Sequence, residues 1–270
     1  MTRQKSWSRR VLTAYCATVL AFLVFPLLII FPLSVSSASF FQFPPPGYSW
    51  RWYQAFFSSP AWIDATWLSI KVGAITTVSA VLLGVPVSFY LARARTRWLA
   101  EIVDKVMVTP IIIPGMVTAI AVYSLLSALR LIGSFHSLVL GHLVLALPFV
   151  VIVTTAALKQ FDTTLEDAAE SLGANRLRAI MLVTFPLIRP SIFTAAFFAF
   201  MASFDDLVIA LFVSGSNATL PKKTFENIGY ALDPTIAVVS VLQIVFLMMI
   251  GTAWFLFSRK SIDGAIPAVR

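Results

Sequence analysis

Two groups of carboxylates stand out in a chain that is otherwise poor in charge. Glu166, Asp167 and Glu170 lie in the run Leu165-Glu166-Asp167-Ala168-Ala169-Glu170-Ser171-Leu172-Gly173, and Asp205 and Asp206 lie side by side inside an apolar segment. The first group offers acceptors to basic groups of another molecule, and the small side chains of Ala168 and Ala169 let a partner's groove come close. In the second group, a carboxylate at mid-bilayer depth costs about 2.5–3.5 kcal/mol or more unless it faces protein, water or a cation. Asp205 and Asp206 are therefore candidates for contact with a cationic substrate. Successive helical positions point about 100° apart, so one is expected to line a narrow path while the other bonds to a neighbouring helix. The competing reading is that both only stabilise helix contacts near the outer interface.

Several other chemistries are excluded. No Gly-x-x-x-x-Gly-Lys-[Ser/Thr] cradle occurs, so the chain cannot by itself hydrolyse ATP through a P-loop. Nothing resembles a nucleophile elbow or a catalytic dyad. His136 and His142 have no second ligand at metal spacing and read as packed, hydrogen-bonded imidazoles. Cys16 is the only cysteine, which excludes an intrachain disulfide and a cysteine-based metal cluster. The chain is expected to bind no metal or cofactor and not to be an enzyme.

The elements that must position these residues are membrane helices. Hydrophobic residues make up 59% of the 270, charged residues 12%, and the mean hydropathy is +0.89, more apolar surface than one water-soluble core can hide. Runs near 11–35, 64–92, 104–129, 136–158, 191–213 and 235–258 are each long enough to cross a hydrocarbon core of about 30 Å. Stretches such as Val144 to Val153 and Ile192 to Met201 are apolar on every face, which excludes a barrel of alternating strands. The reading is all-α: a cytoplasmic N-terminus at 1–10, one six-helix domain over 11–258 with a cytoplasmic loop at 159–190, and a cytoplasmic tail at 259–270.

Orientation comes from the basic residues. Arg3, Lys5, Arg9, Arg10, Arg93, Arg95, Arg97, Lys105, Lys159, Arg176, Arg178, Arg189, Arg259, Lys260 and Arg270 are fifteen of the twenty Lys and Arg and fall on one side. Arg51, Lys71, Arg130, Lys222 and Lys223 fall on or near the other, so both termini are expected in the cytoplasm. The net charge of +8 is then a signal of topology and of contact with anionic lipid, with no nucleic-acid surface. The first apolar run is too long for a secretory signal and reads as an uncleaved anchor. Trp50, Trp52, Tyr53, Trp62 and Trp67 mark the outer boundary; Trp7, Trp98 and Trp254 mark the inner one. Pro44-Pro45-Pro46-Gly47 should cross the outer surface in extended form, before a short aromatic stretch at the interface. Pro110 and Pro114 with Gly115 interrupt the third span, as a hinge, a source of exposed carbonyls or a static kink; Pro114 is thus a further pathway candidate. Lys222 and Lys223 read as a solvated loop.

Loops as long as 159–190 with a pattern of their own are usually functional. Thr163 or Thr164 is placed to cap a helix whose first turn carries Glu166 and Asp167, at the positive end of the dipole. Gly173 ends it in the left-handed conformation. Leu177, Ile180, Met181 and Thr184 then share one face of a second short helix, with Arg176 and Arg178 elsewhere, and Pro186 and Pro190 stop it before the fifth span. The product is a helix-turn-helix along the membrane surface.

This loop resembles that of the permease subunits of bacterial ATP-driven (ABC) importers, where Glu-Ala-Ala, three residues, Gly, nine residues, Ile, one residue and Leu-Pro form the pattern. Here it stands as Asp167-Ala168-Ala169, Gly173 and Val183-Thr184-Phe185-Pro186, with Asp for Glu, Val for Ile and Phe for Leu. The similarity runs from about residue 60 to residue 250. Thr109-Pro110-Ile111-Ile112-Ile113-Pro114-Gly115, Leu147-Pro148-Phe149, Ser203-Phe204-Asp205-Asp206, Gly215 and Thr219-Leu220-Pro221 look like its spermidine/putrescine branch. The resemblance implies a type I importer (MetI-like) permease fold in the bacterial inner membrane, passing a small cation such as putrescine or spermidine. It implies a second permease subunit, as a heterodimer, a periplasmic substrate-binding protein, and an ABC ATPase dimer that uses ATP and Mg. Glu166, Asp167, Ala168, Ala169, Glu170, Gly173 and Pro186 would couple to that ATPase. An ion-coupled secondary transporter or channel acting alone is the alternative; it predicts internal repeats, and the two halves show no convincing one.

Overall fold

The computed structural model describes residues 2–94, 96–230 and 233–263. Arg95 and residues 264–270, with Arg270, lie outside the described residues, as do the side chains of Arg3, Lys5, Trp7, Arg9, Arg259 and Lys260. Regular structure among the described residues is helical, with one isolated bridge between Ser36 and Tyr48. The chain divides into two units, residues 1–63 with 226–249, and residues 64–225 with 250–270.

In the first unit, α1 (Thr2–Ser34) runs through Pro26 and Pro32, and none of residues 10–33 in its membrane-length portion is buried within the chain. Helix already starts at Thr2, so residues 2–9, ahead of the membrane-length portion that begins at Arg10, are helical as well. The chain then turns back on itself without regular structure: Ser37 N–H donates to Gly47 O (2.9 Å) and Ser49 N–H to Val35 O (2.7 Å). The short aromatic helix α2 (Arg51–Ser58) follows. The aromatic rings in and around it divide between two tasks. Trp50 is exposed, as an interfacial anchor should be, but Trp52 Nε1 donates to Ala38 O (3.1 Å), Tyr53 Oη lies 3.0 Å from Ser34 Oγ, and Trp62 is buried against Phe56. These contacts hold residues 34–62 together, with Trp52 and Tyr53 each satisfying the polar atom of the ring locally.

The second unit carries the core. Helices α3 (Pro60–Arg93), α6 (Phe135–Gln160) and α9 (Phe185–Phe204) pack through Ala80, Val85, Ala146, Val150, Ile192, Ala195 and Ala199. Lipid tails are as apolar as leucine, so helices in a bilayer associate by close packing at small residues. Gly84 is such a point: a Cβ there would stand 2.8 Å from Val150 Cγ1. Ser88, one turn on, donates to Gly84 O (2.8 Å) and lies 3.3 Å from Val151 O of α6. A second cluster, Val72, Leu138, Ile209 and Val213, ties α3 and α6 to the short helix α10 (Val208–Val213).

Two expected spans have other shapes. Where one helix was expected at 104–129, α4 (Arg97–Ile112) and α5 (Gly115–Ala128) meet at a bend of 108°. Ile113 is extended (φ −72°, ψ 135°), as the residue before a proline prefers, and Pro114 has no N–H to continue the ladder. The expected span 191–213 is instead part of one membrane-length helical run, Arg176–Phe204, followed by a break and α10. Among the described residues five helices are long and apolar enough to cross, and the bent pair makes six if counted as one span. The last helix, α12 (Thr235–Asp263), continues past the expected 258; α11 (Leu220–Tyr230) precedes it.

Replacing Gly84 by Leu should destabilise the α3–α6 contact by about 1–3 kcal/mol, while Gly229→Ala, with no atom within 4 Å of the added Cβ, should not. Thermal unfolding of the purified protein in detergent measures the difference.

Candidate functional site

The hairpin begins with α7 (Thr164–Ser171). Neither Thr163 nor Thr164 caps it with its side chain. The cap is Asp162, whose Oδ1 accepts the Thr164 N–H at 3.0 Å. Hydrogen bonds from Thr164, side chain first and then backbone, hold the Asp162 carboxyl below the ordinary aspartate range. At the other end Gly173 has φ +92°, with Gly173 N–H donating to Glu170 O (2.9 Å) and Ala174 N–H to Ala169 O (3.1 Å). This is the paired-bond C-cap that a left-handed glycine permits. No atom lies within 4 Å of a Cβ built there, so the constraint is on the backbone alone.

The second arm differs from its expected form. Asn175 Oδ1 accepts the Arg178 N–H (2.8 Å) and opens α8 (Arg176–Ala179); a π-helical turn, Ile180–Thr184, then leads directly into α9. Pro186 and Pro190 do not stop the helix. Phe185 N–H reaches back five residues to Ile180 O, and this wider turn opens the ladder just where Pro186 has no N–H to give. The extra residue also shifts the helical register. Thr184 is buried and Ile180 half-buried, but Leu177 and Met181, expected on the same face, are exposed.

Asp167, Ala168 and Glu170 are exposed on α7, and Ala169 is half-buried. Leu172, at the tip, is 91% exposed, and Leu177, Met181 and Leu182 extend the apolar surface. Glu166 faces the other way. Its Oε1 accepts from Arg93 Nη2, at the last residue of α3, and from Thr184 Oγ1 in the π turn. The side chains of Arg93 and Glu166 are 18% and 10% exposed, and the guanidinium stacks on Phe89, 5.1 Å from the ring centroid. Glu166 is therefore not among the groups offered to a partner, contrary to its sequence reading. Arg93 and Thr184 join the site; Arg93 counted in sequence only as a basic loop residue.

The second carboxylate pair lies at the break after α9, not within a helix. Asp206 Oδ2 accepts from Ile209 N–H (2.9 Å) and Ala210 N–H (3.3 Å) and so caps α10. Buried His142 bonds to Ser203 through Nδ1 (2.8 Å), as packing predicted, and its Nε2 lies 3.6 Å from Asp206 Oδ2, a carboxylate brought near by the fold. Asp205 is exposed. Pro114 is exposed at the 108° bend beside Ile112, Ile113 and Met116. Lys222 is buried rather than solvated: Nζ donates to Ser214 Oγ (2.7 Å) and Gly215 O (2.6 Å), pinning the turn where a Cβ on Gly215 would stand 2.8 Å from Gly133 Cα.

The profile of the family described as binding-protein-dependent transport system inner membrane component matches residues 84–266. The chain is 32% identical over 222 residues, 79% of each protein, to the putrescine transport system permease protein PotI of Escherichia coli (strain K12). It is 26% identical over 249 residues to the spermidine/putrescine transport system permease protein PotC of Haemophilus influenzae, covering 92% of this chain and 96% of that protein. Among solved structures, a bacterial ABC transporter involved in the import of the acidic polysaccharide alginate superimposes with a TM-score of 0.72 at 17% identity, over 94% of this chain and 97% of that one. The MetNI methionine ABC transporter, in an inward-facing conformation, gives 0.65 at 16% identity, over 74% and 95%. At such identities these two establish the fold.

Loss of a helix cap costs about 0.5–2 kcal/mol. Asp206→Ala should accordingly raise amide hydrogen exchange across Val208–Val213, and Asp205→Ala should leave it unchanged.

Proposed function

The chain belongs to the family of binding-protein-dependent transport system inner membrane components, and from that membership we propose that it passes a small cation of the polyamine class inward by alternating access, driven by a separate ATPase seated on the 165–186 loop. The family is one of transport permeases of the bacterial inner membrane, with relatives named for putrescine and spermidine. In this reading both termini are cytoplasmic. The partners are a second permease in a heterodimer, an ABC ATPase dimer that consumes ATP with Mg, and a periplasmic binding protein that delivers putrescine, spermidine or a similar amine.

The hairpin's shape carries the proposal. Its outer surface joins acidic Asp167 and Glu170 to small Ala168 and Ala169 and to the exposed apolar tip at Leu172. That chemistry suits an apolar groove with a basic rim. The first arm starts four residues after α6 ends, and the second runs into α9 with no break, so a push on the tip is delivered to two membrane helices. Gly173 sets the angle between the arms and Pro186 sits where the second arm enters α9. Such a lever switches access by moving packed helices as a body. In this reading Asp205, exposed at the break after α9, is the carboxylate that meets the cation, and Pro114 is a second pathway position.

Forcing φ +92° on a β-branched residue stores about 1–3 kcal/mol of strain, and 1.4 kcal/mol is a factor of ten. In proteoliposomes containing the whole complex, Gly173→Val should lower both putrescine uptake and substrate-stimulated ATP hydrolysis by about tenfold; full retention of both would reject the lever. Asp205→Asn should lower uptake of a charged amine more than that of a neutral analogue, and equal loss for both would assign Asp205 a structural role.

A further inference from the structure

We propose that Arg93 is a positioning residue for coupling: through Glu166 and Thr184 it makes α3 part of the body that the hairpin moves. This rests on the reading that an ATPase acts on the hairpin. Its two covalent connections reach α6 and α9 only. The third connection is made at one atom, Glu166 Oε1, which receives a donor from the end of α3 and another from the π turn.

The surroundings make this bond rigid. Phe89, beneath the guanidinium, packs against the α3–α6–α9 core, so Arg93 has little room to swing away. Its Nη1 is buried and has no hydrogen-bond partner among the described residues, so Glu166 is the carboxylate that compensates this cation. Thr184 is fully buried. A π turn interrupts the regular ladder of a helix, and Thr184 closes this one onto the same oxygen. A push on α7 therefore reaches α3 and α9 together, and α3 passes it to α6 where Gly84 meets Val150.

Glu166 thus acts within the chain, whereas a docking role would have it meet a basic group of the ATPase. Removing one member of a buried pair leaves an unpaired charge, and removing both does not. The experiment uses Arg93→Gln, Glu166→Gln and the double variant in the complete complex, measuring putrescine taken up per ATP hydrolysed. That ratio is insensitive to how much complex assembles. Each single variant should lower it by about tenfold, within the usual range of coupling between sites, and the double variant, which has no unpaired charge but lacks the joint, should stay as low as the singles and fall no further. An unchanged ratio in the single variants, a double variant restored to the parent ratio, or one as poor as both losses combined, overturns the proposal. Thr184→Val, which deletes one donor at nearly constant shape, should lower the ratio about threefold; it decides the matter, either way, where a charge variant fails to assemble. Cross-linking of Leu172→Cys to the ATPase, in a Cys16→Ser background, separates the two readings. No cross-link in that parent overturns docking and the proposal together, and a cross-link retained with an unchanged ratio overturns the clamp alone.

Discussion

A membrane permease driven from outside the bilayer needs one joint that is stiff, because force applied to a short surface helix is lost if that helix pivots. In the function proposed for this chain, that joint is the meeting of Arg93, Glu166 and Thr184. An eight-residue helix such as α7 is too short to be stable alone in water. Its inner face is instead held by a charge-assisted bond, of the kind about twice as strong as a neutral one, with the planar guanidinium stacked on Phe89. Lysine could provide the charge but neither the plane nor the stack.

Behind that joint the membrane helices meet at positions chosen for closeness. Gly84 against Val150, Gly73 against Phe200 and Gly141 against Ile209 leave no room for a Cβ, and the contacts they allow make α3, α6, α9 and α10 one packed body. The breaks lie at its margins: the 108° bend at Ile113-Pro114, and the interruption at Asp205-Asp206, where Asp206 restores the lost helix ladder by capping α10. Irregular backbone at membrane depth is tolerated where protein or water satisfies it. These are accordingly the places where a polar path is affordable.

Most of the membrane helices and the turn between the hairpin's arms were readable because local chemistry dictates them: apolar length marks the spans, Pro114 excludes a straight third helix, and only a glycine, here Gly173, takes φ +92° at low cost. The direction in which Glu166 points was not readable. Its partner Arg93 is 73 residues away and resembles any other basic loop residue until α3 and α7 are packed. The continuous passage through Pro186 was hidden for another reason. A proline normally ends a helix, and only the π turn before it, which a 3.6-residue period does not anticipate, lets the chain continue. The same extra residue explains why Leu177 and Met181 are exposed while Thr184 is buried. His142 teaches the same lesson in smaller form, since its hydroxyl neighbour Ser203 is 61 residues away and its carboxylate neighbour Asp206 farther still.

The stiffness of the joint can be measured directly by double electron–electron resonance between spin labels on Leu172, at the hairpin tip, and Leu82, an exposed position on α3, in the assembled complex with Cys16 replaced. If the hairpin and α3 move as one, the distance distribution stays narrow and unshifted between the nucleotide-free and ATP-bound states, while the distance from either label to the partner permease changes. A tip-to-α3 distance that shifts or broadens with nucleotide would contradict the account, because it would mean that the hairpin swings free of the helix to which Arg93 ties it.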